Sequence, residues 1–515
     1  MSTNKYSLGS HNQAVARSAT VISLATLASR ILGFIRDVVI ARLFGVYLYA
    51  QAFVIAFRIP NLFRDFVGEG ASNAAIVPVL SEYNLKHSKE EFWELANILL
   101  NLLLVILSVI TILGIIFSPL IVRLIAPGFI PFPDKLEATI RLNRIIFPYI
   151  LLIGLAAYAM AVLNSLKNFT ISAFAPCLLN ISIIICALLL GEGTKGLASG
   201  VLLGGLLQLV VQVPVLYKKG FNPKAVFNFN HPGLVQIRRL MLPRIASSSI
   251  YQLNNFVDSI FGSLIAIVGD GGIAVLYFAY RLIQFPIGIF SNALSQAVLP
   301  TFSTQALEDD RENLKATLSW GLRAVFFVML PTSAVFMVLA HPLVFTLFGG
   351  GRFDFNSGLL TSNALFFYSI GLCAYGGTKI LQSCFFALKD TVTPTKLAFL
   401  ALIMNVAFNA ILMFPLKIGG LALSTSVSGI ITYLFLFSIL KKRLGGFGER
   451  KIFPSFLRIL AASICMAAVC FLVNRALSFA WALFCGGLSY IMFCFLFGVT
   501  ELKELIHWLI LKNLR

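Results

Sequence analysis

Ser29-Arg30-Ile31-Leu32-Gly33-Phe34-Ile35-Arg36-Asp37 lies inside an apolar run, with Ala14 to Leu27 before it and Val38 to Phe44 after it. Arg42, Arg58 and Arg64 follow closely. The flanks are those of a membrane span, yet an arginine at bilayer depth costs roughly 2.5–3.5 kcal/mol on insertion scales. Several of them in the first two spans are tolerable only where they face a protein interior, a water-filled cavity or an anionic ligand. The stretch predicts a cationic cavity inside a membrane protein.

Composition agrees. Of 515 residues, 58% are hydrophobic and 12% charged, against roughly 25% charged in a soluble domain. Mean hydropathy is +0.90. Apolar runs near helical spanning length recur to the C-terminus, so helices and not a barrel are expected to cross the bilayer. The first run carries charges and is followed by many more, so it reads as a retained span and not as a cleaved signal peptide. A net charge of +19 would point to nucleic acid in a soluble protein. Here most Lys and Arg sit in short polar connections, where they report topology, so no nucleic-acid partner is expected.

Fourteen spans can be marked, near 15–44, 48–68, 92–122, 136–165, 171–191, 196–217, 238–267, 272–299, 313–347, 359–388, 393–414, 419–440, 454–474 and 480–511. Alternate connections are basic, notably Lys218, Lys219, Lys224, Arg238 and Arg239, then Lys441, Lys442, Arg443, Arg450 and Lys451. The opposite connections carry single charges such as Lys195 and Lys417; only 123–144 goes against the trend. Both termini are therefore expected in the cytoplasm.

The two halves echo each other at an offset near 222 residues. Ser118-Pro119-Leu120 matches His341-Pro342-Leu343, Ile153-Gly154-Leu155 matches Ile370-Gly371-Leu372, and Leu166-Lys167-Asn168 matches Leu388-Lys389-Asp390. Each unit holds an even number of spans, so the halves insert the same way up, a plan used by alternating-access transporters. The expected division is an N-terminal lobe over 1–217, a cytoplasmic linker over 218–237, a C-terminal lobe over 238–442, and two added spans over 443–515.

Arg30 and Asp37 are seven apart and share a face on a regular helix, with Arg36 about a third of a turn away. Gly33 between them allows a bend. Arg64 ends the second span, and Arg281 sits in the eighth, in Tyr277-Phe-Ala-Tyr-Arg281-Leu-Ile-Gln284-Phe-Pro286. Arginine forks match phosphate bidentately, so several converging arginines suit a diphosphate. The competing reading is that they pair with Asp37, Asp65 or Glu69, or snorkel to the interface. In the second half, Asp258 lies inside span seven, Asn405 and Asn409 are one turn apart in span eleven, and Thr425 is in span twelve. One carboxylate with amide and hydroxyl oxygens makes a candidate sodium site; the alternative is a satisfied polar cluster between helices.

Catalytic motifs are missing. No Gly-x4-Gly-Lys loop occurs, and His11, His87, His231, His341 and His507 are scattered. The eight cysteines all lie in apolar segments without metal-ligand spacing and read as small core hydrophobes. The chain is expected not to be an enzyme.

Through Ser29 to Asp37, Arg58-Ile-Pro-Asn-Leu-Phe-Arg64, Glu69-Gly-Ala, Val77-Pro-Val-Leu-Ser-Glu-Tyr83, Phe147-Pro-Tyr-Ile-Leu-Leu152, Ala173-Phe-Ala-Pro-Cys-Leu-Leu-Asn180 and Phe285-Pro-Ile-Gly288, the chain resembles the MurJ (MviN) family. These are bacterial lipid II flippases of the multidrug/oligosaccharidyl-lipid/polysaccharide exporter superfamily. The resemblance runs from about residue 15 to the C-terminus. It implies transport of undecaprenyl-diphosphate-linked disaccharide-pentapeptide across the inner membrane, with Arg30, Arg36, Arg64 and Arg281 as substrate-binding arginines. It implies a gate-side acid at Asp37, with Arg58 and Glu69 as gate or ion-pair residues. It places the lipid tail in a groove of spans 13 and 14 and maps a sodium site onto Asp258, Asn405, Asn409 and Thr425. Gln51, Tyr280, Gln284 and Asn409 stand where various members have acids, which leaves a more positive cavity. A monomer with membrane lipids around it is expected. The rival expectations are a flippase for another polyprenyl-diphosphate glycan, a cation-coupled drug exporter, and, disfavoured by short outer connections, a membrane glycosyltransferase.

Overall fold

The computed structural model describes residues 3–64, 75–191 and 193–504, without the side chains of 3–19, 63–64, 194 and 242–251. It is an all-α polytopic membrane fold. Among the described residues nine helices are long and apolar enough to cross a membrane, and the pair Phe355–Ile370 and Leu372–Ala387, bent by 45°, makes a tenth. Thr3–Phe44, Leu48–Arg64 and Pro232–Gly262 are not among them. These carry the N-terminal arginines and Asp258.

The helix Val392–Leu444 is broken at Lys417 (φ 51°, ψ −127°), just after Pro415. Asn405 Nδ2 donates to Thr425 Oγ1 at 3.1 Å across 20 residues of sequence. Along one straight helix those residues would stand about 30 Å apart. The chain therefore doubles back, giving spans eleven and twelve. The turn depends on Gly420, where a Cβ would lie 2.0 Å from the Leu412 carbonyl oxygen. With this hairpin read as two spans and those three helices included, every expected segment has its helix. The last one is interrupted after Leu496, where Gly498 (φ 64°) and a Val499 N–H to Cys494 carbonyl bond of 2.9 Å stop it. Helix resumes at Thr500, and the expected end at 511 lies outside the described residues.

Contacts divide the chain into two units, Met1–Ser263 with Gly351–Phe353, and Leu264–Gly350 with Asp354–Arg515. In the first, Leu80, Leu95, Tyr158 and Val162 form a core that also takes Leu216, Phe221, Leu234 and Ile237. The connection after span six and the first turns of Pro232–Gly262 are thus part of that core. In the second, Leu339 packs with Met466, Cys470 and Ala482, joining Glu449–Ala476 and Phe479–Leu496 to the helix Arg311–Val338. A largely buried ion pair, Arg323 Nη1 to Glu501 Oε1 at 2.5 Å, ties the segment after Gly498 to Arg311–Val338, and Ser455 of Glu449–Ala476 donates to that carboxylate at 2.8 Å.

The repeat is visible in the backbone of each unit taken separately. Lys167 and Lys389 both adopt φ 59°, a left-handed conformation uncommon outside glycine. In one turn the Lys167 N–H reaches the Asn164 carbonyl at 3.0 Å and the Asn168 N–H reaches Leu163 at 2.9 Å. In the other the Lys389 N–H reaches Phe386 at 3.0 Å and the Asp390 N–H reaches Phe385 at 2.9 Å.

Candidate functional site

The helix Thr3–Phe44 runs unbroken through Gly33. The glycine does not bend the helix; it faces the Asn180 side chain, whose nearest atoms lie 3.7 Å from where its Cβ would be. Asn180 belongs to Thr170–Leu189, which packs along the first helix. Its amide donates to the Ser29 carbonyl at 3.1 Å and its Oδ1 accepts from Arg36 Nη1 at 3.0 Å. Arg36 Nε and Nη2 both reach Asp37 Oδ1, at 3.0 and 2.7 Å. Arg36 is 6% exposed and Asp37 1%. For Arg36 the carboxylate-paired alternative is therefore the arrangement present.

Arg30 is exposed on the same helix. Arg58 Nη1 donates to the Asn255 carbonyl and to Ser259 Oγ of Pro232–Gly262. Its expected acidic neighbours Asp65 and Glu69 lie outside the described residues, as does the side chain of Arg64.

In the second unit, Arg281 lies in Gly272–Pro286, one turn after Tyr277. Its guanidinium carbon stands 4.8 Å from the centre of the Tyr277 ring, Nη2 donates to Tyr277 Oη at 3.0 Å, and Nη1 to Gln284 Oε1 at 3.4 Å. A π-helical turn, Ile287–Ser291, follows immediately at Pro286. Such turns are frequent at functional sites.

The hairpin brings three of the four candidate sodium ligands together. Asn409 Nδ2 donates to Asn405 Oδ1 at 2.9 Å, and Asn405 Nδ2 to Thr425 Oγ1 at 3.1 Å. Asn405 and Asn409 are buried. Asp258 belongs to Pro232–Gly262 in the other unit and is half-buried. Hard oxygen donors of this kind suit a small hard cation. No group of three or more His, Cys, Asp or Glu with metal-holding geometry occurs among the described residues.

Sequence reasoning did not single out Asn180, Tyr277 or Ser259 as partners. Asn180 and Tyr277 stand inside quoted motifs, but their roles depend on which way each helix is turned.

Residues 40–491 match the family described as Lipid II flippase MurJ. The chain belongs to that family. A probable lipid II flippase MurJ of Buchnera aphidicola subsp. Acyrthosiphon pisum (strain APS) is 36% identical over 461 residues, covering 89% of this chain and 90% of the relative. A solved structure of lipid II flippase MurJ in an inward closed conformation has a TM-score of 0.80 at 29% identity, over 95% of this chain and 100% of that one. An inward-facing multidrug resistance MATE family transporter of the MOP superfamily has a TM-score of 0.67 at 17% identity, over 82% of this chain and 96% of its own; it shares the fold. The family is one of transporters, and its members match this chain from the first arginine helix into span fourteen.

Proposed function

We propose that this protein flips lipid II, the undecaprenyl-diphosphate-linked disaccharide-pentapeptide, from the cytoplasmic to the periplasmic leaflet by alternating access. The observation that carries the reading is the family match over residues 40–491. It is supported by a buried arginine, Arg36, on a membrane helix that few other functions would require. The head group is taken by Arg30, Arg36, Arg64 and Arg281. Asp37 holds the Nε–Nη2 edge of Arg36, the edge whose fork geometry suits carboxylate and phosphate alike. Exchange of that carboxylate for a substrate phosphate makes Asp37 the gate-side acid, with Arg58 and Glu69 completing the gate.

The lobes are 1–217 and 238–442, joined by 218–237, and the tail lies along the spans in 443–515. Both termini are cytoplasmic, because the basic connections fall on that side. The protein works as a monomer among membrane lipids, carries out no covalent chemistry, and binds sodium through Asp258, Asn405, Asn409 and Thr425. Sodium supplies a single positive charge when bound; the four side chains supply its oxygens.

The test is complementation of a conditional lipid II flippase knockout with wild type and Arg36→Ala, alongside periplasmic accessibility of lipid II. Rescue by wild type alone is the expected result. Failure of well-expressed wild type to rescue would favour another polyprenyl-diphosphate glycan as substrate. Rescue by Arg36→Ala would end the arginine-clamp mechanism.

A further inference from the structure

Two asparagines one turn apart on Lys89–Ile116 grip the connection that follows span six. Asn97 Nδ2 donates to the Asn222 carbonyl at 3.0 Å, and its Oδ1 accepts from the Lys224 N–H at 2.9 Å. Asn101 Nδ2 donates to the carbonyls of Lys224 at 2.8 Å and Val226 at 3.0 Å. The bonded carbonyls are two residues apart, the spacing of an extended chain with one edge turned to the helix. Phe221 stands 5.6 Å from the Trp93 ring, and Val226 packs on the core beneath. The backbone is thus fixed as far as Val226.

Immediately beyond the clamp, Phe227 and Phe229 are 57% and 62% exposed. Exposed apolar area costs about 25 cal/mol per Å², so two exposed phenylalanines two residues apart, next to a held backbone, call for a covering. The charge carried by the connection itself has one sign, while Glu90, Glu91 and Glu94 lie toward the start of Lys89–Ile116, before the clamp. Lys218, Lys219, Lys224, Arg238 and Arg239 are exposed, and no Asp or Glu occurs between Glu192 and Asp258. The connection leaves directly from Lys218, the last residue of a membrane-crossing helix, which keeps it within reach of the headgroups. Aromatic side chains on a segment that carries lysines and no acid of its own match an anionic membrane interface: rings at the acyl boundary, cations at the phosphates.

We propose that Phe227 and Phe229, presented by the Asn97–Asn101 clamp and flanked by Lys218, Lys219 and Lys224, form an interfacial anchor for anionic phospholipid. This goes beyond the transport reading and does not depend on what is transported.

The experiment places Phe229→Trp in the full-length protein, in nanodiscs of phosphatidylglycerol, and takes its emission minus that of wild type. The added emission is expected to be blue-shifted and to lose most of its intensity when the lipid is brominated near the top of its acyl chains. Phe227→Trp is expected to behave in the same way, which guards against one variant being distorted. Emission at the wavelength of water, quenched by acrylamide and not by brominated lipid, would overturn the proposal. So would blue-shifted emission that neither quencher reaches, since that means a protein covering. Equal lipid quenching in purely zwitterionic phosphatidylcholine would overturn the anionic assignment.

Discussion

Asn180 accepts a hydrogen bond from Arg36 at 3.0 Å while its own amide holds the Ser29 carbonyl at 3.1 Å. One side chain of span five therefore fixes both the register of the first helix and the direction of its buried guanidinium. Replacing Asn180 with Ala removes an acceptor from a charged donor and leaves that donor in a buried setting. The expected loss is about 1.5–3 kcal/mol of stability. Lipid II accessibility at the periplasmic face should fall more than the amount of protein in the membrane. A purely structural role would lower both in proportion.

Arg36→Ala removes the guanidinium that pairs with the buried Asp37 carboxylate, a change that typically costs about 3–5 kcal/mol. Arg36→Lys keeps the charge without the fork, and should recover folding better than transport. Thermal unfolding of each variant, read beside complementation, separates the two effects. Equal recovery of both by Lys would argue against bidentate recognition of phosphate.

Tyr277 supports Arg281 through both its ring and its hydroxyl. Tyr277→Phe retains the ring and should cost about 1 kcal/mol, the worth of one hydrogen bond. Tyr277→Ala also loses the cation–π contact, about 0.5–2 kcal/mol further. Binding of an undecaprenyl-diphosphate analogue should weaken in that order.

If sodium binds at the hairpin, its chloride should raise the unfolding temperature of wild type above that in an equal concentration of choline chloride. Asn405→Ala and Thr425→Ala should abolish the difference. No difference for wild type would leave Asn405, Asn409 and Thr425 as a structural polar cluster.

Asp390 and Arg443 close the two ends of the same hairpin, with Arg443 Nη1 at 2.8 Å from Asp390 Oδ2. The Asp390 carboxyl is held below the ordinary carboxylate range, chiefly by the Thr393 backbone N–H, with the Thr393 hydroxyl and Arg443 adding to it against partial burial. Because the folded-state pKa is depressed, this stabilisation is present above about pH 3.9 and is lost as pH falls through the folded value. Asp390→Asn should flatten the acid limb of the unfolding profile. Asp390→Ala, which also removes the acceptor of the Thr393 N–H, should cost about 1 kcal/mol at neutral pH, the usual worth of a side chain capping a helix start.

Much of the architecture was legible along the chain, because hydropathy is a local property that sums over a span-length window. The charged helices Thr3–Phe44 and Pro232–Gly262 could still be assigned, since their flanks are apolar and the repeat spacing requires them. The repeated Lys167 and Lys389 turns follow from matching short motifs. The last span is interrupted after Leu496, where only the positive φ of Gly498 marks the stop; helix resumes at Thr500, and the expected end at 511 lies outside the described residues.

Sequence by itself determined a polytopic helical membrane protein, its two echoing halves, and a set of arginines too costly to lie in lipid. Only the tertiary structure decided which partner each charge has. Arg36 meets Asp37 and Asn180, the latter 144 residues away; Arg58 meets Asn255 and Ser259; Arg281 meets Tyr277 and Gln284. It also decided that Asn97 and Asn101 clamp the connection read from sequence as a cytoplasmic linker. The physical reason is that the burial of a span depends on its own residues, whereas hydrogen-bond partners depend on the rotation and packing of helices distant in sequence.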